Sequence, residues 1–192
     1  INNSDYNTVS NNTSFANSSA IAWPVVAVSD ATGIEMTGSS HNLVINNITY
    51  GNEDSGINFY VNSSGVGSTY NTAVGNLSYG NGDHGIDNNA SPYNTIVGNT
   101  IHGNGTSGIN FEGEIGFGSH HATVANNISA GNGLTPPVGS FGGNLRFDSN
   151  SIAGTTLDYD LLDRQTAAVQ IIWNNSNYVS LAAFHVAEPG QE

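Results

Sequence analysis

Along Asn94–Phe111 (NTIVGNTIHGNGTSGINF) apolar and polar residues alternate in short runs, and each run stops at Gly or Asn. Alternation of period two predicts strands, and the Gly-Asn pairs predict turns between them. The passage recurs through most of the chain. Its first half returns as Asn42–Asn52, Asn71–Asn81 and Ala122–Asn132, with a worn copy at Asn7–Asn17. Its second half returns as Thr32–Met36 (TGIEM), Ser55–Phe59 (SGINF), His84–Asn88 (HGIDN) and, less cleanly, Asn144–Phe147 (NLRF). No stretch before residue 155 holds apolar residues at helical spacing for two turns.

Aligned, the copies keep certain columns. One is Asn12, Asn47, Asn76, Asn99 and Asn127, with steps of 35, 29, 23 and 28 residues. A second is Asn17, Asn52, Asn81, Asn104 and Asn132. A third is Ile34, Ile57, Ile86, Ile109 and Leu145. Repeats of this length, lengthened by insertions that leave the columns intact, predict a solenoid. Short strands of such repeats stack on their own copies, parallel and about 4.8 Å apart. The expected fold is therefore an all-β parallel β-helix of about five to six turns. An Asn repeated at one place can bond its amide to the next Asn, as in ladder stacks.

The repeats are expected over residues 1–150. Residues 151–192 are expected to hold a closing strand and a short helix packed on the side of the solenoid. That helix starts at Ser180 as N-cap, followed by Leu181, Ala182, Ala183 and Phe184. Gln165–Trp173 reads as strand. Insertions fall at Ser18–Ser29, with a turn at Trp23-Pro24, and at Ser63–Ser68, Glu114–Ser119 and Leu134–Gly143, where Pro136-Pro137 forbids a central strand.

These repeats resemble those of right-handed parallel β-helix proteins of the pectate-lyase-like superfamily. The closing segment strengthens the resemblance: LDYDLL (Leu157–Leu162) and IIWNNSNYVSLAAFHVAEPGQE (Ile171–Glu192) are similar to the "DYNL" strand and "SLAAF…GQE" helix of many secreted bacterial members. The resemblance implies a right-handed coil and a protein at or beyond the cell surface. It does not single out an activity, because such repeats serve lyases, epimerases, hydrolases and non-catalytic surface proteins alike.

Charge narrows the partners. Fifteen acidic residues face only Arg146 and Arg164, for a net charge of −13, which makes nucleic acid and anionic membranes poor partners. There is no Cys, and no apolar run long enough to span a bilayer. The chain begins inside a repeat, as a piece of a longer protein would. Open strand edges on such a piece predict either capping by further sequence or end-to-end association of copies.

With the Ile column pointing inward, its neighbours Glu35, Asn58, Asp87, Asn110 and Arg146 should form one outward column. Thr37, Tyr60, Asn89, Glu112 and Asp148 should form a second. The strip is polar and mostly acidic. In β-helix enzymes that this chain resembles, the same sheet holds long sugar chains, which makes Glu35, Asn58, Tyr60, Asn110 and Glu112 candidates for binding polysaccharide.

Asp83-His84-Gly85-Ile86-Asp87 resembles the "DDGFD" calcium motif of pectate lyases of the ninth polysaccharide-lyase family, with His84 standing where that family has a second Asp. The resemblance implies Ca²⁺ held by Asp83 and Asp87, with Asp54 contributed from the previous turn. It also implies a Lys or Arg base that removes the C5 proton of a uronate. No Lys exists, so Arg146 is the candidate. Two functions stand side by side: a lyase- or epimerase-like protein acting on acidic polysaccharide, and a non-catalytic structural, adhesive or filament-forming solenoid. A third is sugar binding without turnover, with Tyr60 and Tyr93 as stacking surfaces. Of the other histidines, His102 falls in the column of Tyr50 and Tyr79, while His41 and His185 have no evident partner.

Overall fold

The computed structural model describes residues 1–18, 31–114, 116–135, 142–163 and 169–191. The Trp23-Pro24 turn, the Pro136-Pro137 loop and the first residues of the Gln165–Trp173 strand lie outside them.

Each coil contributes one short strand to each of three parallel sheets. The first coil is β1 (Thr8–Ser10), β2 (Thr13–Phe15) and β3 (Ile34–Thr37); the second is β4 (Leu43–Ile45), β5 (Ile48–Tyr50) and β6 (Ile57–Tyr60). The third is β7 (Thr72–Val74), β8 (Leu77–Tyr79) and β9 (His84–Asn89); the fourth is β10 (Thr95–Val97), β11 (Thr100–His102) and β12 (Ser107–Glu112). The fifth is β13 (Thr123–Ala125), β14 (Ile128–Ala130) and β15 (Gly143–Phe147); the sixth is β16 (Thr156–Asp158), β17 (Leu161–Asp163) and β18 (Ile171–Trp173). We call the sheets B (β1-β4-β7-β10-β13-β16), C (β2-β5-β8-β11-β14-β17) and A (β3-β6-β9-β12-β15-β18), after which an antiparallel β19 (Ser176–Tyr178) extends A. This is the expected parallel β-helix, with six coils. The sixth coil lies wholly beyond residue 150.

The interior is a set of columns. Ile57, Ile86, Ile109 and Leu145 stack in register and are fully buried. Phe111 and Phe147 stack at 4.9 Å, and Trp173 follows Phe147 at 5.0 Å.

At the corner between B and C, each Asn donates both its backbone N–H and its Nδ2 to the Oδ1 of the Asn one coil on: Asn12 to Asn47, Asn47 to Asn76, Asn76 to Asn99, Asn99 to Asn127, at 2.9–3.0 Å. Asp160 closes the ladder by accepting from Asn127. A parallel ladder runs from Asn17 through Asn132 and on to Asn144 and Gln170. Corner amides have no strand partner, so the ladders satisfy buried groups that would each cost about 1–3 kcal/mol unpaired.

Two further ladders were not expected from the sequence. One is Asn7, Asn42, Asn71 and Asn94. The other is built from hydroxyls: Ser4, Ser39, Ser68, Ser91 and Ser119 each donate a backbone N–H to the Oγ of the next, ending at Ser151.

The helix α1 (Leu181–Ala187) is capped as its sequence predicts, the Ser180 side chain accepting from the Ala183 N–H. Its position differs from expectation. Phe184 packs edge-on to Trp173 at 5.8 Å and to Tyr178 at 5.2 Å, and so continues the interior aromatic column beyond the last coil. The helix therefore closes the end of the solenoid and not its side, with Phe184 fully buried as part of the core. Gln191 supports this closure, accepting from the Leu157 N–H and donating to the Thr155 carbonyl on the edge of sheet B.

Candidate functional site

The outer face of sheet A carries the expected columns. Glu35, Asn58, Asp87, Asn110 and Arg146 lie in register on successive coils, as do Thr37, Tyr60, Asn89 and Glu112. Asp148 falls just beyond β15 and accepts from the Gly113 N–H.

The face is not the solvated strip that its composition suggests. Asn58 and Asp87 are each 6% exposed and Asn110 is fully buried. Two bridges along the face contribute to this. Arg146 reaches back one coil and donates through Nη1 to Asn110 Oδ1 at 2.5 Å and to Glu112 Oε2 at 2.6 Å. A small hairpin, Glu114 paired with Phe117, brings the Glu114 carboxylate to the Tyr60 hydroxyl at 3.1 Å. Glu112 also accepts from Asn89, and Asp87 accepts from Asn110 at 2.7 Å.

His84 opens β9 and takes part in this group electrostatically. It is buried, and its Nε2 lies 3.4 Å from Asp83 Oδ1. Its neighbours in register are Ser55 and Ser107. Among the described residues Ser55 Oγ, His84 Nδ1, Ser107 Oγ, Asn58 Oδ1 and Asn89 Oδ1 are buried polar atoms without a hydrogen-bond partner in the protein. Such atoms are uncommon in folded proteins, and here Ser55 and Ser107 flank His84 in register while Asn58 and Asn89 lie in the outward columns beside it.

Protonation divides the cluster. Burial pushes the Asp87 carboxyl well above its usual range, with Glu112 adding to the rise and the Asn110 hydrogen bond opposing it. Burial lowers the His84 imidazole, against the attraction of Asp83 and Glu112. In both groups burial favours the neutral form, and both feel the charges of Glu112 and Asp83.

A consequence for stability follows. Folded Asp87 keeps a proton that the unfolded chain releases, so stability falls as pH rises from the ordinary carboxylate range through the folded pKa, by up to about 1.4 kcal/mol per pH unit. Asp87→Asn, which places one more amide between Asn58 and Asn110, is expected to raise the melting temperature at pH 8 and to have little effect near pH 4. Melting curves across pH check this. Equal shifts at both pH values would mean that Asp87 is ionised when folded.

The remaining candidates take other places. Asp54 Oδ2 accepts from the Thr32 hydroxyl, and the Asp83 carboxylate is directed to His84. Asp54, Asp83 and Asp87 do not converge as ligands: no three carboxylate or imidazole side chains among the described residues are grouped to hold a metal ion. The arrangement of the described residues therefore does not fit Ca²⁺ in the way the motif resemblance implies. Arg146 is committed to Glu112 and Asn110 as a donor, and a guanidinium so engaged is an anion partner, not a base. Glu35 accepts from the Thr37 hydroxyl at the first coil.

His41 does have partners, stacking between Tyr6 and Tyr70 in a ring ladder that runs on to Tyr93 and His121. His185 packs against Phe184. His84, Ser55 and Ser107 were not singled out from the sequence as site residues. Their shared position immediately before the Gly-Ile pair was the available signal for His84.

Comparison with known proteins bears on the fold. Residues 1–114 match the family model described as a right-handed beta helix region. No curated protein matches the chain in sequence. Among solved structures it is similar to the periplasmic alginate epimerase AlgG, at 17% identity and a TM-score of 0.56 over 83% of this chain and 36% of that one. It is also similar to the A-modules of the Azotobacter vinelandii mannuronan C-5 epimerases AlgE4 and AlgE6. These align at 17% and 18% identity with TM-scores of 0.55, over 88% and 89% of this chain and 52% and 54% of theirs. At such identities the likeness is one of fold, and this chain spans between about a third and about half the length of each structure.

Proposed function

The chain belongs to the right-handed β-helix family, and from that premise we propose that it acts on an acidic polysaccharide outside the cytoplasm, by proton transfer on the outer face of sheet A. One observation carries the proposal: His84, lowered by burial, and Asp87, raised by burial, stand on the same strand β9 and are both acted on by Glu112 and Asp83. Neighbouring titratable groups that burial shifts strongly, each against its charged form, are candidates for paired acid and base roles.

Asp83 Oδ1, 3.4 Å from Nε2, favours the proton on that nitrogen, which leaves the lone pair on the unpartnered Nδ1 of His84. It takes the C5 proton of a uronate residue, and the adjoining carboxylate takes up the charge. Either water gives a proton to the opposite face of C5, giving the epimer, and the resulting hydroxide is neutralised by the proton held on His84, or the C4–O bond breaks and Asp87 protonates the leaving oxygen. Arg146, its side chain still 26% exposed, pairs with the uronate carboxylate in exchange for Glu112. The three epimerases of similar fold support sugar chemistry on this scaffold.

A second reading, a non-catalytic solenoid, is favoured by the burial of His84 and by the prior engagement of Arg146. Incubation with polymannuronate, polyguluronate and polygalacturonate separates the two. New C4=C5 absorbance, or inverted C5 signals in proton NMR, is the expected result, with calcium and chelator as parallel arms. Unchanged polymers throughout would leave the structural reading.

A further inference from the structure

The outer face of sheet C carries a different feature. Phe15, Tyr50, Tyr79 and His102 occupy the same place on four successive strands and stack face to face at 5.0, 5.0 and 5.1 Å, with their planes within 8°. On the next coil the partner of His102 is Ala130. A methyl group stands where each earlier coil has a ring. The second face of the His102 imidazole is therefore bare, and it walls an open pocket of about 440 Å³ with Thr100, Ile128, Ala130 and Leu134. Ile128 and Leu134 are 44% and 47% exposed and present apolar surface beside the concavity. Among the described residues no Asp, Glu, Lys or Arg lines it.

We propose that this pocket binds one pyranose ring of a neutral polysaccharide in the missing rung of the ladder. The vacant layer is one ring thick, because the ladder already spaces flat rings at about 5 Å. A pyranose has a flat C–H face that packs on His102 and against Ile128 and Leu134, and a hydroxyl rim that stays in water where the pocket opens. The occupant is uncharged because no described lining residue offers a cation to a uronate, Asp163 follows Ala130 in register on the next coil, and the whole chain carries −13. The inference does not depend on chemistry at sheet A, which is a different face of the solenoid.

The test fills the rung from within. Ala130→Phe extends the ladder by one ring and occupies the pocket. Neutral gluco-, manno- and galacto-configured hexaoses are titrated against both proteins by calorimetry and saturation-transfer NMR. At least one is expected to bind the native chain, and Ala130→Phe is expected to weaken it by about tenfold or more with the melting temperature unchanged or raised. His102→Ala, which removes the stacking face and fills nothing, is expected to weaken the same sugar. Absence of binding by all three sugars, or equal binding by native and Ala130→Phe protein, overturns the proposal. Polyuronates assayed in parallel report on sheet A alone, so failure of one site is not mistaken for failure of the other.

Discussion

Replacing Gly108 with alanine is expected to lower stability by roughly 3 kcal/mol or more, the upper end for an overpacked core position. A Cβ at Gly108 would stand 2.5 Å from the Asn144 carbonyl oxygen and 2.7 Å from Asn132 Nδ2, and against Ser129 Oγ. Those three groups are already bonded to one another: Ser129 Oγ donates to the Asn144 carbonyl, and Asn132 Nδ2 donates to Ser129 Oγ and to Asn144 Oδ1. Nothing there is a flexible chain end that can move aside. The added methyl must displace backbone or break a buried ladder, and each bond lost leaves a polar group unpaired.

Gly103 is the control. It has a left-handed φ of +65° and nothing within 4 Å of its Cβ position, and the first coil already carries Ala16 at the equivalent turn with φ 54°. Gly103→Ala should therefore cost only about 1 kcal/mol, the strain of a left-handed L-residue. Urea unfolding measures both. With a slope of about 1–3 kcal/mol per molar, Gly108→Ala should move the midpoint by one molar or more and Gly103→Ala by clearly less. Equal shifts would mean that the corner is looser than its hydrogen bonds imply.

Much of this was legible in the sequence, for a physical reason. A solenoid repeats its environment every coil, so the same residue type answers the same need, and the need becomes a column. The Asn12 and Asn17 ladders, the inward Ile column and the register of Glu35 with Arg146 follow from that alone. The serine ladder obeyed the same rule: Ser4, Ser39, Ser68 and Ser91 step by 35, 29 and 23 residues, as the Asn12 column does. Serine is common in loops, and its repetition was masked by that background. The Gly33, Gly56, Gly85 and Gly108 column was visible too, but its meaning was not, since close approach of a neighbouring coil leaves no mark on the glycine itself.

The site was harder to anticipate. Outward parity predicts exposure, yet Asn110 is buried because Arg146 and Glu112 join across it, an interaction between residues 34 apart. Repeats state what every coil shares. A site is made where one coil departs from the rest, and His84 between Ser55 and Ser107 is such a departure.

That departure sets the last expectation. If His84 is the base, His84→Asn should lower kcat/KM on the responsive polyuronate by about 10²–10⁴-fold, the span for loss of a general base, while the uronate still binds. The pH profile distinguishes this from simple damage. The native rate should rise as pH climbs through the pKa of His84, which lies below the ordinary imidazole value, and fall as pH climbs through the raised pKa of Asp87. Asp83→Asn removes an attraction that holds the proton on His84, so it should move the acidic limb to lower pH; because Asp83 also helps to raise Asp87, the alkaline limb should follow in the same direction, by less. Asp87→Asn should abolish the alkaline limb along with most of the elimination rate, since an amide has no proton to give the leaving oxygen. An acidic limb that stays put in Asp83→Asn would assign the base to another group, and with it the cluster would revert to a structural network.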